Sequence, residues 1–143
     1  MLQKRNECGV MFIKLDMASD KPIYIQLKEQ IIEGIARKEL QPGDDLPSVR
    51  ALASDIGINL HTVNKVYQQL KQEDYIQVHR SRGVMIHPNG FRKADETYRT
   101  NLKEALRPLI AEAICHDINE KDFSELTLDV YQKILGKAGE TNE

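Results

Sequence analysis

The sequence Gly57-Ile58-Asn59-Leu60-His61-Thr62-Val63-Asn64-Lys65-Val66-Tyr67 begins as a glycine turn and continues as a helix with two unlike faces. Its apolar side chains follow the i, i+3, i+4, i+7 spacing of a helical stripe: Val63, Val66, Tyr67 and Leu70. At about 100° per residue, polar side chains project opposite that stripe: His61, Lys65, Gln68 and Gln72. Such a helix offers hydrogen-bond donors and positive charge on its free side. This is what a helix in the major groove of DNA needs.

Length and composition indicate an ordinary folded protein. The chain has 143 residues, of which 41% are hydrophobic and 29% charged, which suits one domain or a small domain with an appendage. No apolar run approaches the roughly 20 residues of a membrane span, and the N-terminus lacks the apolar segment of a secretory signal. The two cysteines, Cys8 and Cys115, are far apart and show no metal-ligand spacing. We therefore expect a reduced, cytoplasmic setting, with no membrane contact.

Charge is unevenly distributed along the chain. The net charge of −2 excludes a uniformly basic nucleic-acid binder. However, no acidic residue lies between Asp55 and Glu73 or between Asp74 and Asp95. The basic residues within these two windows are Lys65, Lys71, Arg80, Arg82, Arg92 and Lys93. Chance variation in surface charge is the alternative explanation, but the helix pattern favours a binding surface.

The residues before this helix predict a second helix and a turn. Ser48 is a good N-cap for a helix that begins at Val49, and Gly57 ends it because glycine takes the left-handed cap conformation. Asn59 then caps the third helix. Two short helices joined by a glycine-containing turn are the helix-turn-helix signature. Upstream, Pro22 suits the first position of a helix that runs to about Lys38, and residues 40–45 predict a loop.

A β-hairpin is predicted after the third helix, because the hydrophobic period changes to two. Ile76 and Val78 precede a compact turn, Arg80-Ser81-Arg82-Gly83, and Val84 and Ile86 follow it. The hairpin therefore carries two arginines at its tip. A helix, a helix-turn-helix and a basic hairpin together describe a winged helix.

Two further helices are predicted beyond Gly90. Pro108 should kink the first of them or end a turn early, and Asn119 caps the second. Each has an apolar side, and together these sides form the apolar stripe. It comprises Leu102, Leu106, Leu109, Ile110 and Ala113 on the first helix and Phe123, Leu126, Val130 and Ile134 on the second. Two helices of this size cannot enclose a core, so the stripe must find cover on the winged helix or on a second copy. Of these two, we favour a homodimer.

The predicted fold is thus mainly α, of the α+β type. It comprises a winged-helix DNA-binding domain over residues 11–90 and a helical hairpin for dimerisation over residues 91–138. Residues 1–10 are expected to be disordered or dispensable.

Several spaced motifs resemble the GntR family of bacterial transcription regulators: Pro42-Gly43-Asp44-x-Leu46-Pro47-Ser48-x-Arg50-x-Leu52-Ala53, Gly57-Ile58-Asn59-x-x-Thr62-Val63, Tyr75-Ile76 and Arg82-Gly83. The resemblance covers about residues 21–87. The motif Pro22-Ile23-Tyr24-x-Gln26 and the short two-helix tail resemble the YtrA subfamily. The resemblance implies a homodimeric repressor of a palindromic operator on double-stranded DNA, often in an operon encoding an ABC transporter. It leaves open whether a small-molecule effector exists.

The resemblance also implies which residues meet DNA. They belong to the start of the second helix, the front of the third helix and the wing: Arg50, Leu60, His61, Thr62, Asn64, Arg82 and Gly83. The polar side of the third helix, the two helix caps and the basic hairpin tip add four further candidates for DNA contact: Ser48, Asn59, Lys65 and Arg80. Arg82-Gly83 is expected to enter the minor groove. Leu60 stands where many relatives have arginine, so the bidentate contact of arginine with guanine is absent. We therefore expect His61, Asn64 and Lys65 to carry the sequence readout.

Other interpretations of these residues remain open. Lys65 and Arg50 would also suit a solvated surface, Ser48 is foremost a cap, and the wing arginines would also protect a hairpin edge. A winged helix used only for protein assembly is a second candidate function. A third is an enzyme or a metal protein that uses the hairpin histidines, His79 and His87, but zinc needs more ligands than these two. No catalytic motif occurs, so we expect neither an enzyme nor a cofactor or metal.

Overall fold

The computed structural model describes residues 2–6 and 9–136, with side chains from Ile13 onward. Within these residues the elements are β1 (Leu2–Asn6), β2 (Gly9–Ile13), α1 (Ile23–Ala36), β3 (Asp45–Leu46), α2 (Val49–Ile56), α3 (Leu60–Gln72), β4 (Ile76–His79), β5 (Gly83–Ile86), α4 (Glu96–Cys115) and α5 (Glu120–Ile134). The chain divides into two compact units, residues 1–91 and 92–143. No helix among the described residues has the length and apolar character needed to cross a membrane.

The first unit is built on the apolar stripes of its helices. Seven side chains are almost wholly inaccessible: Leu27, Ile31, Val63, Val66, Leu70, Ile76 and Ile86. They come from α1, α3 and the hairpin, so the core lies between the helices and the sheet. Each such burial contributes about 1.5–3 kcal/mol. This core fixes the side of α3 that is turned inward and leaves the opposite side free.

The helix ends in this unit follow the sequence prediction. Ser48 Oγ accepts a 3.1 Å hydrogen bond from the Ala51 amide at the start of α2. Gly57 ends α2 with a φ of 68°, the left-handed conformation that only glycine adopts without strain. Asn59 Oδ1 accepts a 2.8 Å bond from the His61 amide at the start of α3. The caps thus place α2 and α3 as a helix-turn-helix, as predicted.

The wing is a three-stranded antiparallel sheet in the order β3-β5-β4. The hairpin pairs Val78 with Val84 and His79 with Gly83, whose φ is 81°. β3 was predicted as part of a loop, because two residues are too few to show an alternating pattern. Backbone bonds on both sides of Asp44 join it to the wing: the Gly43 amide donates to the Ile86 carbonyl at 3.0 Å, and the Ile86 amide to the Asp44 carbonyl at 2.8 Å.

Two glutamines on α1 hold the segment that precedes it. Gln30 bonds both the amide and the carbonyl of Lys14, the first at 2.7 Å. The buried Gln26 accepts a 2.9 Å bond from the Asp16 amide at Oε1, and its Nε2 donates to the carbonyls of Asp16 and Lys21 at 3.0 and 2.7 Å. The two side-chain amides therefore bind the backbone of residues 14–16 as a neighbouring strand would, and they join this segment to α1.

Three local expectations differ from the structure. Pro22 lies at the N-cap of α1, one position before the helix, and α1 ends at Ala36 rather than Lys38. α4 does not end early at Pro108, because only the Glu104 carbonyl loses its helical partner and water can reach it on this exposed helix. The alternative of a kink at Pro108 stays a prediction.

The predicted disorder of residues 1–10 also differs from the structure. β1 pairs antiparallel with β2, from Leu2 opposite Ile13 to Asn6 opposite Gly9. The sequence shows no long apolar pattern in this segment, and this is why no strand was predicted for residues 1–10. Two adjacent strands can pair through their backbones without such a pattern. Residues 1, 7 and 8, and with them Cys8, lie outside the described residues. That the segment is dispensable stays a prediction.

The second unit contains two helices without an internal core. Asp95 Oδ1 caps α4 by a 2.8 Å bond from the Tyr98 amide, and Asn119 Oδ1 caps α5 by a 2.9 Å bond from the Asp122 amide. Neither helix has a buried residue. On the predicted stripe, Ala113, Phe123 and Ile134 are partly covered, and the rest are exposed: Leu102, Leu106, Leu109, Ile110, Leu126 and Val130. Residues 137 and 138 of the predicted tail lie outside the description.

Candidate nucleic-acid interface

The free side of α3 is polar, as its helical period predicts. Asn59, His61, Asn64 and Lys65 are exposed, whereas Thr62 is partly covered. Leu60 is 39% exposed at the front of the helix. Amide and imidazole groups can bond base edges in a major groove, and an apolar side chain can contact a thymine methyl. Their common face is therefore suited to a nucleic acid.

Lys65 occupies the border of that face. Its ammonium lies 3.8 Å from the centroid of the Tyr24 ring on α1, within the range of a cation–π interaction. The sequence did not indicate this contact, because the two residues are far apart in the chain and on different helices. Lys65 therefore has a defined position rather than that of an unrestrained surface lysine.

The start of α2 presents a second group of polar side chains. Ser48 and Arg50 are both exposed. Because Ser48 Oγ accepts the bond that caps the helix, its own proton remains available for an acceptor such as a phosphate oxygen. Just before it, the Pro47 carbonyl accepts a 2.8 Å hydrogen bond from the Tyr67 hydroxyl.

Tyr67 links the two helices from inside. It is 4% exposed and belongs to the core, as its place on the apolar stripe predicts. Burial away from water raises the pKa of its phenol well above the ordinary value. The hydroxyl thus remains a proton donor to Pro47, and Tyr67 is a packing residue rather than a base-stacking one.

The tip of the wing carries the remaining candidates. Arg80, Arg82 and Gly83 are all exposed. The Arg82 guanidinium lies 4.0 Å from Asp45 Oδ1 on β3; the side chains are 63% and 43% exposed, and a pair this long and accessible is worth little in stability. The residues are thus accessible to DNA, and Arg82 can exchange a carboxylate for a phosphate at small cost.

The hairpin histidines have local roles. The Ser81 amide approaches His79 Nδ1 at 3.3 Å, and the Asn89 amide approaches His87 Nδ1 at the same distance. No group of three or more potential metal ligands occurs among the residues the structure describes. Each histidine therefore supports the turn that follows it.

Comparison with known proteins agrees with this geometry. The model of the family described as "Bacterial regulatory proteins, gntR family" matches residues 23–86, from the start of α1 to the end of the wing. The HTH-type transcriptional repressor YtrA of Bacillus subtilis is 35% identical over 124 residues, which are 87% of this chain and 95% of the relative. The chain belongs to the GntR family. It is a DNA-binding transcriptional regulator with a winged helix, and the family and its relatives are regulators rather than enzymes.

Solved structures extend the likeness of this GntR member beyond the winged helix. YtrA from Sulfolobus acidocaldarius, described as a GntR-family transcription factor, is 42% identical, with a TM-score of 0.56, over 69% of this chain and 97% of that one. A transcriptional antiterminator from Listeria monocytogenes EGD-e is 26% identical, with a TM-score of 0.79, over 87% and 92%. The predicted resemblance to YtrA-like regulators is thereby confirmed.

The residues predicted to bind DNA lie on three elements, namely α3, the start of α2 and the wing. Which of them contact DNA stays a prediction. Sequence reasoning missed two neighbours of these residues, Tyr24 and Asp45. Tyr24 lies within the motif that resembled the YtrA subfamily, but nothing in that motif indicated a contact with Lys65.

Proposed function

We propose that the chain is a homodimeric repressor that binds a palindromic operator through α3, the start of α2 and the wing. The observation that carries the proposal is the free polar side of α3, held by a core of fully buried residues and capped at Asn59. The relative from Bacillus subtilis is a repressor, which supports the same role here.

In the proposed complex the three elements have different tasks. His61, Asn64 and Lys65 meet bases or nearby phosphates, Ser48 and Arg50 bind the backbone, and Arg82 enters the minor groove. Phosphate contacts position a protein on DNA, whereas base contacts give specificity. An arginine suits the negative potential of a narrow minor groove.

Homodimerisation is proposed from the second unit. Its apolar stripe is exposed in the single chain: Leu106 is 37%, Ile110 38% and Leu126 53% accessible. Apolar patches of this extent on two helices with no buried residue favour association. A second copy supplies the same apolar residues in return, as a twofold interface requires.

The target operon is proposed from the family resemblance to encode an ABC transporter. Immunoprecipitation of the chain with its bound chromosomal DNA tests this point, because the recovered fragments identify the adjacent genes. Recovery of operators only beside unrelated genes would remove the transporter proposal and leave the repressor role intact. We also propose a small-molecule effector. The test is to add the small molecules of a cell extract to the complex of the chain with the recovered operator and to measure whether the DNA is released.

Selection of bound fragments from a random DNA pool tests the main proposal. Two similar half-sites about one helical turn apart are expected, since paired recognition helices on one face have that spacing. Binding should weaken steeply with salt as counterions leave the phosphates. The alternative function, a winged helix used only for protein assembly, predicts a different result. The chain would then retain no DNA at low salt and would form a complex with another protein that salt does not weaken.

Two variants test the assigned face. Lys65→Ala and Arg82→Ala should each weaken operator binding while circular dichroism is unchanged. Lys121→Ala is the control, because it removes one positive charge from an exposed residue on the side of α5 opposite the apolar stripe. Full operator affinity in both variants would contradict the proposed binding face.

A further inference from the structure

The contact between Lys65 and Tyr24 differs from the other lysine contacts of this unit. Lys28 Nζ, also between α1 and α3, lies 2.8 Å from Glu73 and is 23% exposed. Its charge is therefore compensated by a carboxylate. Lys65 is held by an aromatic face, which attracts the ammonium but carries no net charge. The positive charge of Lys65 thus remains available to a third group.

The Tyr24 ring is itself firmly placed. It lies in the first turn of α1, packs against the core and is partly buried. Two residues further along, Gln26 is fixed by three hydrogen bonds to the preceding segment. The next residue, Leu27, is fully buried. The ring therefore offers a rigid surface to a side chain that otherwise samples many rotamers.

We propose that Tyr24 is a positioning residue for DNA binding: its ring holds the Lys65 ammonium where α3 meets a phosphate. The inference rests on the proposed function, since it requires DNA on the free side of α3. An ammonium has three N–H donors, and contact through a ring face leaves donors for phosphate oxygens. Binding then costs less side-chain entropy, because Lys65 is already ordered in the free protein.

Tyr24→Leu and Tyr24→Phe form a matched pair for the test. Leucine keeps an apolar side chain on the core but removes the ring, whereas phenylalanine keeps the ring and removes only the hydroxyl. Lys65→Met is the reference, because it removes the charge and keeps the stem. All variants are studied in the full chain, with thermal unfolding measured on each so that binding is compared on folded protein.

The first readout is the free protein in solution. The ring current of Tyr24 should move the proton resonances beside Lys65 Nζ upfield. This shift should persist in Tyr24→Phe and disappear in Tyr24→Leu. Its absence from the unmodified protein would overturn the inference.

The second readout is the salt dependence of binding to a fluorescent duplex of random sequence. Each phosphate contact contributes about 0.9 to the slope of log K against log salt, so Lys65→Met should lower the slope by about 0.9 per subunit. Tyr24→Leu should weaken binding about threefold. Because the released Lys65 then neutralises its phosphate only part of the time, the slope should also fall, by less than in Lys65→Met. Tyr24→Phe should match the unmodified protein. Partial unfolding would lower the apparent affinity without changing this slope.

A combined variant completes the test. Once Lys65→Met is present, Tyr24→Leu should cause little further loss, because both changes act through one contact. Additive losses, an unchanged slope in Tyr24→Leu, or a loss in Tyr24→Phe equal to that in Tyr24→Leu would each overturn the inference. If the unmodified chain fails to bind the duplex at low salt, the proposed function fails together with the inference. Binding that weakens in Lys65→Met but not in Tyr24→Leu overturns the inference alone.

Discussion

The Tyr67 hydroxyl donates a 2.8 Å hydrogen bond to the Pro47 carbonyl, and so joins the inner side of α3 to the residue that precedes the cap of α2. The bond is formed inside the core, where Tyr67 is 4% exposed. It fixes the separation between the start of α2 and α3, the two elements proposed to meet the same stretch of DNA.

Tyr67→Phe should lower the free energy of unfolding by about 1 kcal/mol, because the Pro47 carbonyl loses its partner. Urea unfolding measures this change. Tyr131→Phe, at a side chain 63% exposed on α5, is the control and should leave the free energy of unfolding unaltered. Equal stability of Tyr67→Phe and the unmodified protein would show that the bond contributes nothing net.

Alkaline pH should destabilise the chain through the same residue. The folded protein retains the Tyr67 proton above the ordinary tyrosine pKa of about 10, whereas the unfolded chain releases it. The contribution is therefore complete below about pH 10 and declines as the pH rises, since the unfolded state then binds fewer protons. Urea unfolding at several alkaline pH values should show a steeper loss in the unmodified protein than in Tyr67→Phe. Parallel curves would contradict the assignment to Tyr67.

Ser48 allows capping to be separated from DNA contact. Ser48→Ala should cost about 1 kcal/mol of stability, as the Ala51 amide loses its acceptor. Ser48→Asp keeps a good cap but adds a negative charge beside Arg50, so stability should be retained while DNA affinity falls. Unfolding and fluorescence anisotropy measure the two effects. Undiminished DNA binding by Ser48→Asp would place the start of α2 away from the phosphates.

Asp45 should act against DNA binding. It lies 4.0 Å from Arg82 and places a negative charge beside the wing. Asp45→Asn should raise affinity for random-sequence DNA by up to about fivefold at low salt, and the gain should shrink as salt rises. Glu39→Gln removes the same charge from an exposed residue elsewhere in this unit and is the control. An equal gain in Glu39→Gln would show an effect of net charge alone.

Ile110→Glu should dissociate the proposed dimer, because a charge on the apolar stripe cannot be buried without a partner. Sedimentation velocity measures the oligomeric state. Thr100→Glu adds the same charge to α4 roughly 135° around the helix from the centre of the stripe and should leave the dimer intact. If Ile110→Glu sediments as the unmodified protein does, the stripe is not the dimer interface.

Much of the fold was predictable because its determinants are local. Ser48, Gly57 and Asn59 mark helix ends through their own side chains or backbone conformation, and the hairpin shows a period of two. The two-residue strand β3 depends on β5, which lies far along the chain. β1 and β2 are neighbours in the sequence, but neither shows an alternation of apolar and polar residues. No pattern within such short segments indicates them.

The candidate site was predictable to a similar extent. The free side of α3 follows from its helical period, since the buried stripe determines it. The contact of Lys65 with Tyr24 and the pair of Arg82 with Asp45 join residues from separate elements. Their approach is decided by the packing of α1 on α3 and of β3 on β5, which one sequence does not reveal.

The backbone bonds between residues 43–44 and Ile86 have one more consequence. They attach the wing to the same short connection that leads into α2, so the wing arginines and the cap of α2 cannot move apart independently. The separation between the wing and the start of α2 is therefore set before DNA binds. Operators whose grooves already match this separation should be preferred, even where their bases outside the contacted positions differ. Other operators must be deformed to fit the protein, which costs energy.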